Sequence, residues 1–279
     1  MVTKLLRPRD GAEALALLRS EPGALALAGG TQLLSAEFRD RPFVAVALAG
    51  FLDTAITTAA DAGLHLGAGA SFQDLLDSPL VPELLRRAAA GMATRNVRNR
   101  ATLGGNLGAD KSCSSLIPPL LCLDARLLLL DGRSLSLGDW LALEAGSGGR
   151  PLIASIDIAA PSSLLGGYAR WARVSCDLSV LSAAASYRLE GGRVRGLTLV
   201  LGGMGAHARR FPALEALFEG KALPGREAIE ALVAPRLSPI SDQRGSADFK
   251  RLRMAGLVSE ALLEAAPLVF PAKSTEARA

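Results

Sequence analysis

A chain of 279 residues with 49% apolar side chains can bury one large core or two to three modest ones, which excludes disorder as the default state. Its net charge of +4 comes from arginines scattered along the whole chain, so it favours an anionic ligand or an acidic partner surface and speaks against a nucleic-acid-binding arm. Only three cysteines occur, Cys113, Cys122 and Cys176, with no CxxC pair and no paired histidines; no metal site is expected, and a reducing cytoplasm is the expected location.

At the N-terminus, Met1-Val2-Thr3-Lys4-Leu5-Leu6-Arg7-Pro8 runs into charge and proline before the apolar segment of a signal peptide develops. No apolar run approaches the ~20 residues that cross a bilayer, so no membrane span and a soluble protein are expected. Asp10 and Glu13 have the spacing of a capping box and predict a helix to about Ser20, ended by Pro22-Gly23. Ala24 to Ala28 then predicts a short buried strand entering Gly29-Gly30-Thr31, with a helix beyond the glycines. Strands are expected at Val44 to Ala47 and Leu64 to Leu66; the second enters Gly67-Ala68-Gly69 and a helix start marked by Ser71 and Asp74.

Pro82 suits a first helical turn, and Leu84, Leu85, Ala88 and Ala89 give that helix an apolar stripe to about Gly91. The following stretch, Met92 to Asn106, is too polar and glycine-rich to read as an ordinary core element. Pro118-Pro119 opens a short helix to about Ala125, and Arg126 to Leu130 and Leu152 to Ile158 read as strands, the latter ended by Pro161. Gly146-Ser147-Gly148-Gly149 between them is a turn or flexible loop. Leu178 to Leu189 and Arg195 to Leu201 predict a hairpin turning at Glu190-Gly191-Gly192-Arg193. Met254, Leu257, Val258, Ala261 and Leu262 share one helical face, and the tail after Pro271 is short, charged and loose.

Two features carry chemistry. Glycines after a strand, as in Ala28-Gly29-Gly30-Thr31-Gln32 and Thr102-Leu103-Gly104-Gly105-Asn106, let backbone N–H groups form a nest for phosphate oxygens, and two such loops suit one pyrophosphate. Double glycines also make plain tight turns, so neither loop alone decides the matter. Neither is the GxGxxG dinucleotide fingerprint, and no P-loop ends in Gly-Lys-Ser/Thr. Immediately before the second loop lie Arg95, Arg98 and Arg100, interleaved with Asn96 and Asn99, a run able to bind phosphate or acidic groups. With 4% aromatic residues and none inside that run, a single-strand nucleic-acid reader is disfavoured.

The joint order of segments is more specific. Ala28-Gly29-Gly30-Thr31-Gln32-Leu33-Leu34, Gly67-Ala68-Gly69-Ala70-Ser71, Arg98 to Leu107 and Pro118-Pro119-Leu120-Leu121-Cys122-Leu123-Asp124-Ala125 follow one another in the N-terminal half. Tyr168 to Leu178, Leu201-Gly202-Gly203-Met204 with Arg209-Arg210, and Asp242 to Arg251 follow in the rest. In this order and spacing the chain resembles the FAD-binding medium subunit of the xanthine dehydrogenase and carbon monoxide dehydrogenase family, over nearly its whole length.

The resemblance implies an α+β fold: a vanillyl-alcohol-oxidase-like (PCMH-type) FAD-binding domain over residues 1–162, with lobes of about 1–55 and 56–162. A C-terminal α+β flavoprotein domain over 163–275 follows. It further implies FAD held by Leu27, Ala28, Gly29, Gly30, Thr31, Gln32, Leu33 and Leu34 at the pyrophosphate. Thr102, Leu103, Gly104, Gly105 and Asn106 form the second contacting loop, Met92 lies near the flavin, and Ile153 and Arg170 approach the isoalloxazine ring. Partners implied are a molybdenum-cofactor large subunit and a [2Fe–2S] small subunit, with NAD or another acceptor taking the electrons. Two departures stand out. Ser115 occupies the place where the family commonly has a cofactor-binding Asp, which keeps a hydroxyl and loses the charge. Arg170 stands where lysine is common, which keeps the charge and changes its geometry.

On this reading the chain needs no catalytic acid or base of its own. Two other classes remain open: a self-sufficient flavin oxidoreductase, which turns over without partners, and a structural subunit that has lost FAD through the Ser115 region. Other conspicuous residues are expected to be structural. His65 alternates with Leu64 and Leu66 and points to the opposite face of its strand, Asp74 and Asp77 mark a helix start and end, and Cys113 is an inert thiol.

Overall fold

The computed structural model describes residues 1–38, 40–59, 62–143, 150–160 and 162–270. The first unit is small and built on parallel strands. Strand β1 (Val2–Leu6) is followed by helix α1 (Gly11–Ser20), β2 (Ala24–Leu27), a 3₁₀ turn (Ala36–Phe38) and β3 (Phe43–Ala47), with sheet order β1-β3-β2. Both neighbours pair with β3 in parallel, so β2 and β3 cannot be joined by a tight hairpin. The chain instead makes the long excursion that contains Gly29-Gly30. Ala14, Val46 and Leu48 form the buried centre of this unit.

The second unit begins with β4 (Ile56–Thr58) and β5 (Leu64–Gly67). Helices α2 (Phe72–Asp77), α3 (Glu83–Ala90), α4 (Arg95–Arg98), α5 (Leu103–Ala109) and α6 (Ile117–Cys122) then cover one face of the sheet. The sheet is completed by β6 (Arg126–Leu129), β7 (Ser134–Ser136) and, after α7 (Leu137–Ala142), β8 (Ile153–Ile158), in antiparallel order β4-β5-β8-β6-β7. Alternation sets its faces: Leu127 and Leu129 are buried while Arg126 and Leu128 are exposed. Cross-strand partners on the wet face run Thr57, His65, Asp157, Arg126, Ser136.

The third unit is a long antiparallel sheet. Strands β9 (Leu165–Trp171), β10 (Leu181–Glu190), β11 (Arg193–Gly202) and β12 (Arg209–Arg210) are followed by α8 (Pro212–Glu215), α9 (Arg226–Val233), a 3₁₀ turn (Ala234–Arg236), α10 (Ala247–Leu263) and β13 (Ala266–Pro267). The order is β12-β11-β10-β9-β13. Met254, Leu257, Val258, Ala261 and Leu262 of α10 are buried, as their shared face predicts. The buried Tyr187 hydroxyl donates to Leu262 O at 2.6 Å and fastens α10 to β10. Helix α6 of the second unit packs against β10 and β11, where Ser186 Oγ donates to Cys122 O at 2.7 Å. Ala184 and Val200 of the C-terminal sheet thereby belong to the same apolar core as Leu116 and Leu120.

Several local expectations are corrected. No helix follows Gly29-Gly30: Thr31 to Leu34 form a turn closed by Leu34 N–H on Gly30 O at 3.0 Å. Thr31 and Leu34 are exposed there, so the segment has no apolar stripe to bury and nothing extends the turn into a helix. Conversely, the polar stretch from Met92 contains α4 and the start of α5, with Leu103 buried in the core. The Asp10–Glu13 box is half made: Asp10 caps Glu13 N–H, but the Glu13 carboxylate accepts from the Arg9 amide and side chain instead of the Asp10 amide. The expectations for Gly146 to Gly149, Pro161 and the tail from Pro271 lie outside the described residues.

Candidate functional site

Strand β2 ends at Leu27, and the chain leaves it at the carboxyl end of a parallel sheet, the edge where open sheets of this kind place ligands. A Cβ on Gly29 would overlap the Arg100 carbonyl oxygen, so only glycine lets the two segments touch. Gly30 follows with φ +77°. A left-handed residue within such a loop is one element of an anion-binding nest. The amides of Gly29, Gly30, Thr31, Gln32 and Leu33 find no backbone acceptor among the described residues. Five backbone donors are therefore left without a backbone acceptor next to the Arg100 backbone, a donor set suited to the oxygens of a pyrophosphate. The loop is braced from its far side: Gln32 donates to Glu37 at 3.2 Å, and Lys111 pairs with the same carboxylate. The Lys111 ammonium holds the Glu37 carboxyl below the usual range.

The second glycine loop is built differently. Thr102 caps α5 by accepting Gly105 N–H on its hydroxyl at 3.1 Å, and its carbonyl takes Asn106 N–H at 2.9 Å. Leu103 and Gly104 donate to Ala70 O and Ala68 O at 3.0 and 2.9 Å. These amides are already satisfied, which corrects the expectation that both loops offer backbone donors alike. What the second loop contributes is rigidity and the Thr102 and Asn106 side chains. Asn106 Oδ1 accepts Leu116 N–H and its carbonyl accepts the Ser114 hydroxyl, both at 3.1 Å. Ser115 is thereby fixed behind α5 with 6% of its surface exposed.

A third group gathers at the end of α3. The side chain of Arg170, on β9, passes over Gly91, where a Cβ would lie 2.5 Å from its Cδ and 2.9 Å from a terminal guanidinium nitrogen. Met92 is the next residue along the chain. The guanidinium is held by three donations, to Ser179 Oγ at 3.1 Å, Ser175 O at 3.2 Å and Asp177 O at 2.9 Å. Two residues before it on β9, burial pushes the Tyr168 phenol up to about 12, against the pull of the Arg170 charge. Arg98 reaches back to the Met92 and Ala93 carbonyls at 3.2 and 3.0 Å and keeps that corner folded.

Residues 91–101 therefore connect two places. At their start Gly91 lies under Arg170, and at their end Arg100 lies against Gly29. Ile153 joins through its neighbour, since Ala154 O accepts Ala68 N–H at 3.0 Å and Ala68 O accepts Gly104 N–H. The candidate residues from Leu27 to Leu34, Met92, Thr102 to Asn106, Ile153 and Arg170 thus belong to one connected set. Ser115 is tied to it through its two neighbours, Ser114 and Leu116, which both bond to Asn106.

Two further polar centres lie in the same unit, and the sequence shows no sign of the partners of either. Asp110 sits in the left-handed region at φ 38°, 7% exposed, with Oδ2 2.6 Å from Arg150 and 2.9 Å from His207, and with Oδ1 bonded to nothing among the described residues. His65 lies between two carboxylates, 2.7 Å from Asp157 and 2.9 Å from Asp53. The exposed-face alternation of β5 was the only hint of the latter. No cluster of metal-ligating groups occurs among the described residues, and none of their helices is long and apolar enough to cross a membrane.

A glycine loop at the carboxyl end of a parallel sheet, joined by one segment to a fixed guanidinium, defines the class as a domain for an anionic cofactor. Residues 1–157 match the FAD binding domain in molybdopterin dehydrogenase, and residues 167–265 match the CO dehydrogenase flavoprotein C-terminal domain. The chain belongs to this family of FAD-binding oxidoreductase subunits of the molybdenum hydroxylases, and FAD is its cofactor. It is 30% identical to the Escherichia coli protein YgfM over 93% of this chain and 95% of that one. It is 27% identical to the Escherichia coli putative xanthine dehydrogenase FAD-binding subunit XdhB, over 91% and 92%. A chain of the carbon monoxide dehydrogenase from Hydrogenophaga pseudoflava superposes with a TM-score of 0.83 at 26% identity, covering 93% of this chain and 96% of that one.

Proposed function

We propose that this chain is the electron-collecting subunit of a molybdenum hydroxylase, receiving electrons from a [2Fe–2S] small subunit fed by a molybdenum-cofactor large subunit and delivering them to NAD or another acceptor. One observation carries the reading: a glycine loop whose amides from Gly29 to Leu33 lack backbone acceptors and a fixed cation at Arg170 stand at the two ends of one segment, residues 91–101. An extended dinucleotide needs these two things, a donor set for its pyrophosphate and a group that fixes its ring.

When bound, FAD supplies storage for two electrons, so that single-electron delivery is matched to two-electron release. The residues of this chain bind and orient it. Gly29 to Leu33 bind the pyrophosphate, with Thr102 and Asn106 beside them and Leu27, Ala28 and Leu34 flanking. Met92 and Ile153 line the ring. Arg170 keeps a positive charge near it that favours extra electron density there. Its planar guanidinium, locked by three acceptors, cannot swing as a lysine ammonium does, so this subunit holds the charge at one distance. Ser115, buried behind Asn106, acts through the loop it supports.

The visible spectrum of the purified chain, before and after incubation with FAD, is the first test. A bound-flavin spectrum, bleached by the complex's substrate only when the partner chains are added, is the expected result. A chain that stays colourless and takes up no FAD overturns the assignment, and substrate turnover by the isolated chain overturns the collecting role.

A further inference from the structure

The start of α10 holds a lysine in the wrong place for a surface cation. Lys250 is 0% exposed, and its Nζ lies 2.7 Å from Asp242 Oδ2. Burying an ammonium in a helix that packs against an apolar sheet is costly unless the charge is used to fix something, because removing either partner leaves the other uncompensated. What it fixes is a tight turn. Asp242 and Gly245 exchange both backbone hydrogen bonds at 3.1 Å, and Asp242 Oδ1 accepts Arg244 N–H at 2.9 Å. Burial pushes the Asp242 carboxyl up, but Lys250 and the Arg244 amide outweigh it and keep the carboxyl below its usual range.

The turn and the first turn of α10 make one contact with the loop that holds Arg170 and one with β9 beside it. The Arg244 guanidinium reaches Ser179 O at 3.5 Å, and Ser179 Oγ accepts from Arg170. Phe249, next to Lys250, packs edge-on against Trp171, next to Arg170, with ring centroids 4.9 Å apart. We infer that Lys250 is a positioning residue for Arg170: the buried Lys250 ammonium, paired with the solvent-reaching Asp242 carboxylate, sets the Arg244 turn and Phe249, and these together hold the 174–179 loop around the guanidinium. The inference rests on the reading that Arg170 faces the flavin. It assigns a purpose to the Asp242 to Lys250 motif.

Two measurements test it, one of them free of cofactor. Hydrogen exchange on the FAD-free chain is compared for wild type, Lys250→Met, Arg244→Ala and Arg244→Lys. The expected result is exchange in residues 172–179 faster by about tenfold in Lys250→Met and Arg244→Ala and restored in Arg244→Lys, with α9, which also packs on α10, unchanged. Uniformly faster exchange in Lys250→Met together with an unchanged loop in Arg244→Ala makes Lys250 an ordinary core group and overturns the inference. Arg244→Ala leaves the core intact, so it decides the matter even where Lys250→Met fails to fold. On the FAD-loaded chain, Arg244→Ala is expected to lower the flavin midpoint potential in the same direction as Arg170→Gln, and the double variant to fall no lower than Arg170→Gln alone. Additive shifts overturn the positioning role. A wild-type chain that binds no FAD defeats the proposed function and leaves the exchange result to stand by itself.

Discussion

Gly29 shows how a single position carries both packing and binding. Any Cβ there overlaps the Arg100 carbonyl oxygen, so Gly29→Ala must push apart the glycine loop and the 91–101 segment. The expected outcome is a stability loss of about 1–3 kcal/mol with FAD affinity down by more than tenfold, checked by denaturant melts and by equilibrium dialysis of FAD. Gly30→Ala fails for a different reason, its φ of +77°, and is expected to cost about 1–2 kcal/mol while leaving the Arg100 contact in place. The two glycines were legible in the sequence as a turn or nest. Which of the two glycine loops keeps its amides free was not, because that depends on Ala68 and Ala70, whose carbonyls satisfy Gly104 and Leu103 from the far side of three intervening helices.

At the same scale, His65 sets a pH dependence. Partial burial pushes its pKa down, but hydrogen bonds to Asp53 and Asp157 outweigh this and hold it above its ordinary value of 6.5. Its contribution to stability is therefore complete below 6.5 and is lost as pH rises through the raised folded value. Asp53 has the opposite sign. The Ala55 amide first and His65 second hold its carboxyl below 3.8, so its contribution is present above that value and lost as pH falls through the depressed one. The melting temperature of wild type relative to His65→Gln should be highest between these limits and converge on the variant in alkali; a constant difference across that range refutes the linkage. The sequence showed His65 facing away from the core, as it does, but not the two carboxylates that receive it. One lies across the sheet and the other comes from the preceding connection.

Among the elements, helix starts were the most legible because their signals are local. Ser71 and Asp74 form a complete reciprocal cap, at 3.1 and 2.8 Å. Ser71 also bridges to Thr102, so the cap of α2 steadies the start of α5. Ser71→Ala is expected to cost about 1 kcal/mol in a denaturant melt and to raise exchange of the Gly105 amide, a second effect that a merely local cap does not produce. The elements read wrongly were those where tertiary contacts decide. Leu103 and Leu107 bury one face of α5 beneath a polar, glycine-rich exterior, so counting polar residues hid a core helix. After Gly30 the opposite held, since good helix formers such as Leu33 and Leu34 have no surface to cover.

At the scale of the whole molecule, the order of motifs along the chain was the strongest sequence signal, and the close fit to known flavoprotein subunits follows from it. The seam between the second and third units was not legible, because it is made of small, unremarkable side chains. Ala184 and Val200 pack into the core of the second unit, and Ser186 donates to Cys122 O where burial keeps the Cys122 thiol protonated and unreactive. A continuous core across that seam predicts that the two units unfold as one cooperative body. Calorimetry of the FAD-free chain should then show the seam melting within a single transition, and FAD at a hundredfold excess over its Kd should add about 2.7 kcal/mol and move that transition upward by several degrees as one. Two resolved transitions, of which FAD shifts only the first, would mean that the units fold separately. The Arg170 corner would then be coupled to the glycine nest through the bound dinucleotide alone.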